Sequence, residues 1–167
     1  FRLAEVFAIS RGAKTEAKVV TVHVASDGAK GWGECVPYAR YGETLDSVRD
    51  QIGSLPESFD RTALQGLLPA GAARNAVDCA LWDLEAKKAG KRVWDLAGLP
   101  TPGPEITAYT LSLDTPEKMR AQAAEHAHRP LLTIKLGTPD DMPRLEAARA
   151  GAPKARIIVD ANEGWSA

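Results

Sequence analysis

Apolar and polar residues alternate over the first part of the chain, which is the period of a strand with one covered face. Phe1 to Ile9 carries this alternation, and Val19-Val-Thr-Val-His-Val24 is a β-branched strand. Ser26-Asp-Gly28 is a turn signal and Gly31-Trp-Gly-Glu34 resumes extended structure, so a hairpin or meander is expected. The period then lengthens to that of a helix. Thr44 has the side chain of an N-cap, with Leu45, Val48, Ile52 and Leu55 on one face behind it. The strongest helical signal runs from Ala72 to Ala89. There Ala73, Ala76, Val77, Ala80, Leu81 and Leu84 form one stripe, and Gly90 stops the helix.

The stretch Gly98-Leu-Pro-Thr-Pro-Gly-Pro104 reads as a linker, and a different rhythm follows it. Ile106 to Leu113 is a strand. Thr115-Pro116 is an N-cap with Pro at the first helical position, and that helix runs to about Ala127. Leu131 to Leu136 is a second strand. Thr138-Pro139 repeats the helix start, with a helix to about Ala150, and Arg156-Ile-Ile-Val-Asp160 is a third strand. Strand, helix, strand, helix, strand with short connections is the signature of a parallel sheet, open or closed into a barrel.

Composition sets bounds on this picture without redirecting it. The 167 residues are enough for a real core, and 44% hydrophobic with 26% charged is ordinary for a globular protein. A net charge of -1 gives no reason to expect nucleic acid or an anionic membrane as partner. No apolar run is long enough to span a bilayer, and no secretory leader is visible, although Phe1 in place of Met leaves room for residues upstream. Cys35 and Cys79 sit in no CxxC pattern and are expected as free thiols in a reduced cytoplasm. His23, His126 and His128 lack metal-ligand company and are read as structural or solvated. The three Trp residues at 82, 94 and 165 are expected in the core.

The candidate chemistry lies at the ends of the last two strands. Side chains alternate along a strand, so Thr133 and Lys135 share one face, as do Ile158, Asp160 and Asn162. Parallel strands are normally apolar on both faces, and a Lys and an Asp at the C-terminal ends of neighbouring strands break that rule at one level. In β/α barrels that level carries the active site. A structural Lys–Asp pair, or charges leaving the core into solvent, is the other reading of the same pattern. A carboxylate flanked by an Asn also suits a hard cation such as Mg²⁺, which takes oxygen ligands; one Asp is not a complete site.

Five segments together resemble the enolase superfamily, most closely its dipeptide epimerases of the L-Ala-D/L-Glu type. They are Ser10 to Ala17, Gly31 to Thr44, Gly71 to Leu84, Ile134-Lys-Leu-Gly137 and Val159-Asp-Ala-Asn-Glu-Gly-Trp165, in that order. The resemblance implies an α+β capping domain over residues 1–104. The first part of a modified (β/α)₇β TIM-like barrel (α/β) would follow over residues 105–167. Only three strands of an eight-stranded barrel would then be present.

The chemistry implied is removal of a weakly acidic proton next to a carboxylate and its return on the other face, supported by Mg²⁺ and a Lys base. A lysine base must first lose its own proton, which a nearby cation and partial burial favour. On the resemblance Lys135 is the acid/base of one face and Asp160 the first of three Mg²⁺ ligands. The opposing Lys and the other carboxylates would lie beyond residue 167. Asn162 would support the metal or the substrate carboxylate. Thr133 stands where the family usually has a second Lys, and it can donate a hydrogen bond without supplying charge. Arg11 would meet the side-chain carboxylate of a Glu unit, a match to which a guanidinium is suited. On the same resemblance Tyr41 would belong to a specificity loop, Tyr38 to Glu43, with a packing aromatic as the other reading. The expected partner is a small molecule, a dipeptide or an N-acyl amino acid. An N-acylglutamate racemase is the alternative of the same chemistry, and a catalytically incomplete piece with a structural or assembly role is the alternative of another class. The sequence leaves a homo-oligomer open.

Overall fold

The structure, a computed structural model, describes residues 1–139 and 141–166. The strands and helices in chain order are β1 (Arg2–Ile9), β2 (Gly12–Glu16), β3 (Val20–Ser26), β4 (Ala29–Cys35), α1 (Leu45–Gly53), α2 (Arg61–Leu67), α3 (Ala72–Ala89), α4 (Val93–Leu96), β5 (Tyr109–Leu111), α5 (Pro116–Glu125), β6 (Leu131–Lys135), α6 (Asp141–Gly151) and β7 (Arg156–Asp160). Two compact units result, one of Phe1 with Ala17–Gly103, the other of Arg2–Glu16 with Pro104–Ala167. Among the described residues no helix is long and apolar enough to cross a membrane.

The first unit is built on α3. Its expected stripe, Ala73, Ala76, Val77, Ala80, Leu81 and Leu84, is buried throughout, and Gly90 closes it in the left-handed conformation at φ 62°. The stripe packs on the antiparallel hairpin β3–β4, whose register pairs Val22 with Gly33 and Val24 with Gly31. The hairpin turns at Asp27 (φ 50°) and Gly28 (φ 79°), two positive values that match the twist of a two-residue turn. Helix and hairpin approach so closely that a Cβ on Gly33 would lie 1.9 Å from the Ala76 carbonyl oxygen, and one on Gly31 would lie 2.0 Å from that of Ala80. Asp83 of α3 then accepts the Trp32 N–H at 2.9 Å.

Helix starts follow their caps. The Thr44 hydroxyl accepts from Ser47 N, and Ser47 reciprocates to Thr44 N. Gly71 precedes α3 and has no side chain with which to cap it, so Glu43 reaches across and its Oε1 accepts the Ala72 N–H at 2.6 Å. Its other oxygen accepts from Tyr38 N at 2.9 Å, which ties the 38–43 loop to the start of the helix. Glu34, at the end of the Gly31–Glu34 extended segment, is exposed on β4.

The second unit is a parallel sheet in the order β5–β6–β7 with α5 and α6 as crossovers. Leu111, Met119, Ala123, Leu132, Ile134, Leu136 and Ala148 fill its core. The hairpin β1–β2 belongs here by its contacts, although the sequence places it with the N-terminal 1–104 segment. Its anchors are direct: Ala8 N–H donates to Ser112 Oγ at 2.7 Å and Leu113 N–H to the Ala8 carbonyl at 3.0 Å. Those two bonds also account for the C-terminal end of β5, which stops at Leu111 instead of Leu113 because Ser112 and Leu113 turn these groups to β1. Its start at Tyr109 instead of Ile106 is not explained by them. α5 starts as expected, with Thr115 as N-cap and Pro116 at the first position. α6 does not start at Thr138-Pro139. It begins at Asp141, whose carboxylate accepts from Gly137 N and Thr138 N and so holds those two residues as a loop; residue 140 lies outside the described residues.

Candidate active site

β6 and β7 run in parallel register with Lys135 opposite Asp160 at their last positions. Alternation along each strand sends both side chains to one face, and Lys135 Nζ lies 2.7 Å from Asp160 Oδ2. The Lys135 side chain is 12% exposed and that of Asp160 41%, so the ammonium is sheltered while the carboxylate still faces open space. The Asn162 backbone N–H donates to Asp160 Oδ1 at 2.8 Å, and its side-chain amide donates to Oδ2 at 3.3 Å. The Lys135 hydrogen bond, then the Asn162 N–H, hold the Asp160 carboxyl below the usual carboxylate range, and Arg11 adds a weaker pull. Thr133, two residues earlier on the Lys135 face, is level with Thr110 of β5 and Ile158 of β7.

Arg11 occupies the turn between β1 and β2. Its Nη1 donates to the Asn162 carbonyl at 2.8 Å and pairs with Glu163 Oε2 at 3.2 Å. Lys135, Asp160, Asn162 and Arg11 therefore form one constellation within the second unit. Tyr41 is in the first unit, in a 3₁₀ turn over Ala39–Tyr41, 75% exposed with its ring 5.7 Å from that of Tyr38.

The donor set answers only part of what Mg²⁺ requires. Asp160 supplies a carboxylate, and Asn162 Oδ1 is a buried oxygen without a hydrogen-bond partner beside it. Among the described residues, however, no three His, Cys, Asp or Glu side chains come together to hold a metal ion. Among the described residues Asp160 is thus one ligand of an incomplete set.

Two residues of the neighbourhood escaped the sequence reading. Asp141 is buried and accepts from four donors, the shortest bond coming from Trp165 Nε1 at 2.6 Å. Trp165 is correspondingly not a core residue: it is 57% exposed and held by its indole N–H. An acidic residue just before a helical run was the available signal for Asp141, but its reach to residue 165 was not. Burial alone would push the Asp141 carboxyl up; the donors Trp165, Thr138 and Gly137 outweigh it and leave the group below the ordinary carboxylate range. A depressed folded value means that the ionised carboxylate stabilises the fold above the unfolded value of about 3.9, and that this contribution disappears as pH falls through the lower folded value. Urea midpoints measured from pH 7 down to pH 3 should therefore fall more steeply below about pH 4 for the unaltered chain than for Asp141→Asn. Parallel acid limbs would show that Asp141 carries no such linkage.

A hairpin and α3 in one unit, with a parallel β/α run bearing Lys and Asp at adjacent strand ends in the other, define the enolase-type pairing of an α+β cap with the first part of a barrel. Residues 2–98 match the mandelate racemase / muconate lactonizing enzyme N-terminal domain, and the chain belongs to that family. It is 46% identical over 167 residues to the L-Ala-D/L-Glu epimerase of Escherichia coli, covering 96% of this chain and 52% of that protein. A crystal structure of an enolase family member from Agrobacterium tumefaciens, with homology to dipeptide epimerases and bound sodium and L-Ala-L-Glu, superposes with TM-score 0.94 at 53% identity, over 99% of this chain and 52% of that one. The dipeptide epimerase of Cytophaga hutchinsonii, complexed with Mg and D-Ala-L-Val, gives TM-score 0.88 at 30% identity, over 99% and 50%. The chain spans about half the length of the curated relatives it matches. By sequence the β1–β2 hairpin counts with the family's N-terminal domain, while by its contacts it groups with the parallel sheet.

Proposed function

We propose that the whole protein is a Mg²⁺-dependent epimerase of dipeptides of the L-Ala-D/L-Glu type. The observation that carries this reading is the Lys135–Asp160 pair, 2.7 Å apart on adjacent parallel strand ends. The named relatives and the dipeptides bound in the solved neighbours support it.

In this reading Lys135 holds and moves the proton at one face of the substrate α-carbon. It can do so once its amine is no longer the ammonium partner of Asp160, since a base must offer a lone pair. Asp160 would offer one carboxylate ligand to Mg²⁺. That ion, held in part by Asp160, would supply positive charge beside the substrate carboxylate. Asn162 turns its amide toward Asp160 and keeps a carbonyl oxygen available. Arg11 reads the side-chain carboxylate of the Glu unit.

The test is isotopic. The full-length protein with Mg²⁺ in D₂O should replace the Glu α-hydrogen of L-Ala-D-Glu and L-Ala-L-Glu by deuterium, read as loss of the α-proton signal in the ¹H spectrum. No deuterium uptake would sink the reading. Uptake confined to N-acetylglutamate would move the assignment to the racemase alternative.

A further inference from the structure

Three loops interlock beyond the ends of β6 and β7. Ser10 and Arg11 form the β1–β2 turn, Gly137 and Thr138 follow β6, and residues 161–165 follow β7. A Cβ on Gly137 (φ 115°) would lie 2.5 Å from the Ala161 carbonyl oxygen and 2.7 Å from Ser10 Cβ, so the three backbones meet at one glycine. Ser10 Oγ donates to the Ala161 carbonyl at 2.9 Å.

Within this knot Asn162 and Glu163 are consecutive non-glycine residues at φ 49° and 63°. Each such residue costs on the order of 1 kcal/mol and persists only where its surroundings hold it. Trp165 is one of the holds. Its ring is largely exposed, so its place is set less by burial than by the 2.6 Å bond from Nε1 to Asp141. Asp141 itself receives Gly137 N at 2.9 Å, Thr138 N at 3.0 Å and Thr138 Oγ1 at 3.2 Å. With these four donors a carboxylate's roughly four acceptor positions are taken, which leaves it no capacity to bind a ligand. It joins the loop after β6 to the loop after β7. The latter loop carries two acceptors of Arg11 Nη1 among the described contacts, the Asn162 carbonyl and Glu163.

We infer that Asp141 is a positioning residue for Arg11, acting through Trp165 and the Asn162–Glu163 turn, and that it sets affinity for substrates bearing a side-chain carboxylate. The inference rests on the role given to Arg11 under the proposed function. Its consequence for kinetics is specific. Loosening the turn weakens carboxylate binding directly, whereas Asp160 keeps its bond from Lys135, so KM for a carboxylate-bearing dipeptide rises more than kcat falls.

Trp165→Phe removes the donor and keeps the ring, and Asp141→Asn leaves an amide whose nitrogen cannot accept from the indole. In the full-length protein each should raise KM for L-Ala-D-Glu by about tenfold with kcat within about twofold. KM for a dipeptide with no side-chain carboxylate, L-Ala-L-Ala, should stay unchanged, and the double variant should be no worse than either single one. An equal loss on both dipeptides would overturn the inference, because a general weakening of the fold predicts it. A second readout needs no activity. In the ¹⁵N–¹H spectrum of the chain, Trp165→Phe should shift the Arg11 Nε–H and Asn162 amide resonances. If neither moves, the inference is overturned whatever the kinetics. If both move while the unaltered enzyme exchanges no α-proton, the positioning role stands and the epimerase reading falls.

Discussion

Gly33→Ala should abolish cooperative folding of the first unit, or lower its stability by at least ~3 kcal/mol, the upper range for overpacking. The added methyl would lie 1.9 Å from the Ala76 carbonyl oxygen, 2.9 Å from Ala80 N and 3.0 Å from Ala76 C. All three atoms are helix backbone, so no side chain can rotate aside. Either α3 or β4 must move by more than an ångström. That movement would open the contact between Val22, Ala73, Ala76, Val77 and Ala80, which are buried together. Against a total stability of roughly 5–15 kcal/mol for a domain, this is a large fraction. Gly66→Ala is the control. It lies inside α2 with nothing within 4 Å of its added Cβ, and it should be neutral or stabilising by up to ~1 kcal/mol, the difference between Gly and Ala in a helix. Urea unfolding followed by the fluorescence of Trp32 and Trp82 checks both. A Gly33→Ala midpoint close to that of the unaltered chain would mean that helix and hairpin are not held at this distance.

That close approach shows where the sequence was readable and where it was not. α3 was legible because the six positions of its predicted stripe repeat at helical spacing and Gly90 ends them. The role of Gly31 and Gly33 was not, since nothing local says that a helix backbone will lie against a strand. β2 was invisible for another reason. Gly12-Ala-Lys-Thr-Glu16 is exposed at every position, so it has no alternation to read. It is a strand because β1 pairs with it, in a register that is irregular between Arg2 and Phe7. α2 and α4 are too short to build a period of their own.

The candidate site divides along the same line. Lys135 and Asp160 could be placed on one face and level with each other because parallel register and side-chain alternation together fix both facts. Arg11 could not be brought to them by pattern: its acceptors lie 151 and 152 positions away. Resemblance alone singled it out. Asp141 had only its place at the start of a helical run behind it, because its bond to Trp165 spans 24 residues and no local pattern predicts that reach. Glu43 had a partial signal. A helix that starts after a glycine lacks its own cap, so an acceptor must arrive from elsewhere in the fold.

On the proposed function, Lys135→Met should lower kcat/KM for epimerisation of L-Ala-Glu by about 10²–10⁴ in both directions, the usual contribution of a positioned acid or base, while its effect on isotope exchange is one-sided. The chain places this amine at one strand end, on one face of the sheet, so it serves one face of the α-carbon. Deuterium uptake from the epimer whose α-hydrogen faces Lys135 should therefore stop. The opposite epimer should still exchange, because its proton is taken by a different base. Met keeps much of the length and apolar stem of Lys while removing the charge and the proton. The fold should tolerate it, since Asp160 remains 41% exposed and keeps two donors from Asn162, so it is not left as a buried unpaired charge. A partly exposed ion pair of this kind contributes no more than about 1 kcal/mol to stability, which separates a catalytic loss from an unfolded protein. Uptake by both epimers at the unaltered rate would remove Lys135 from the chemistry and leave the Lys135–Asp160 pair as a structural contact at the end of two strands. Loss of uptake by both, with the melting temperature preserved, would show instead that Lys135 is needed at both faces. That outcome would contradict a two-base mechanism, in which each face has its own proton carrier.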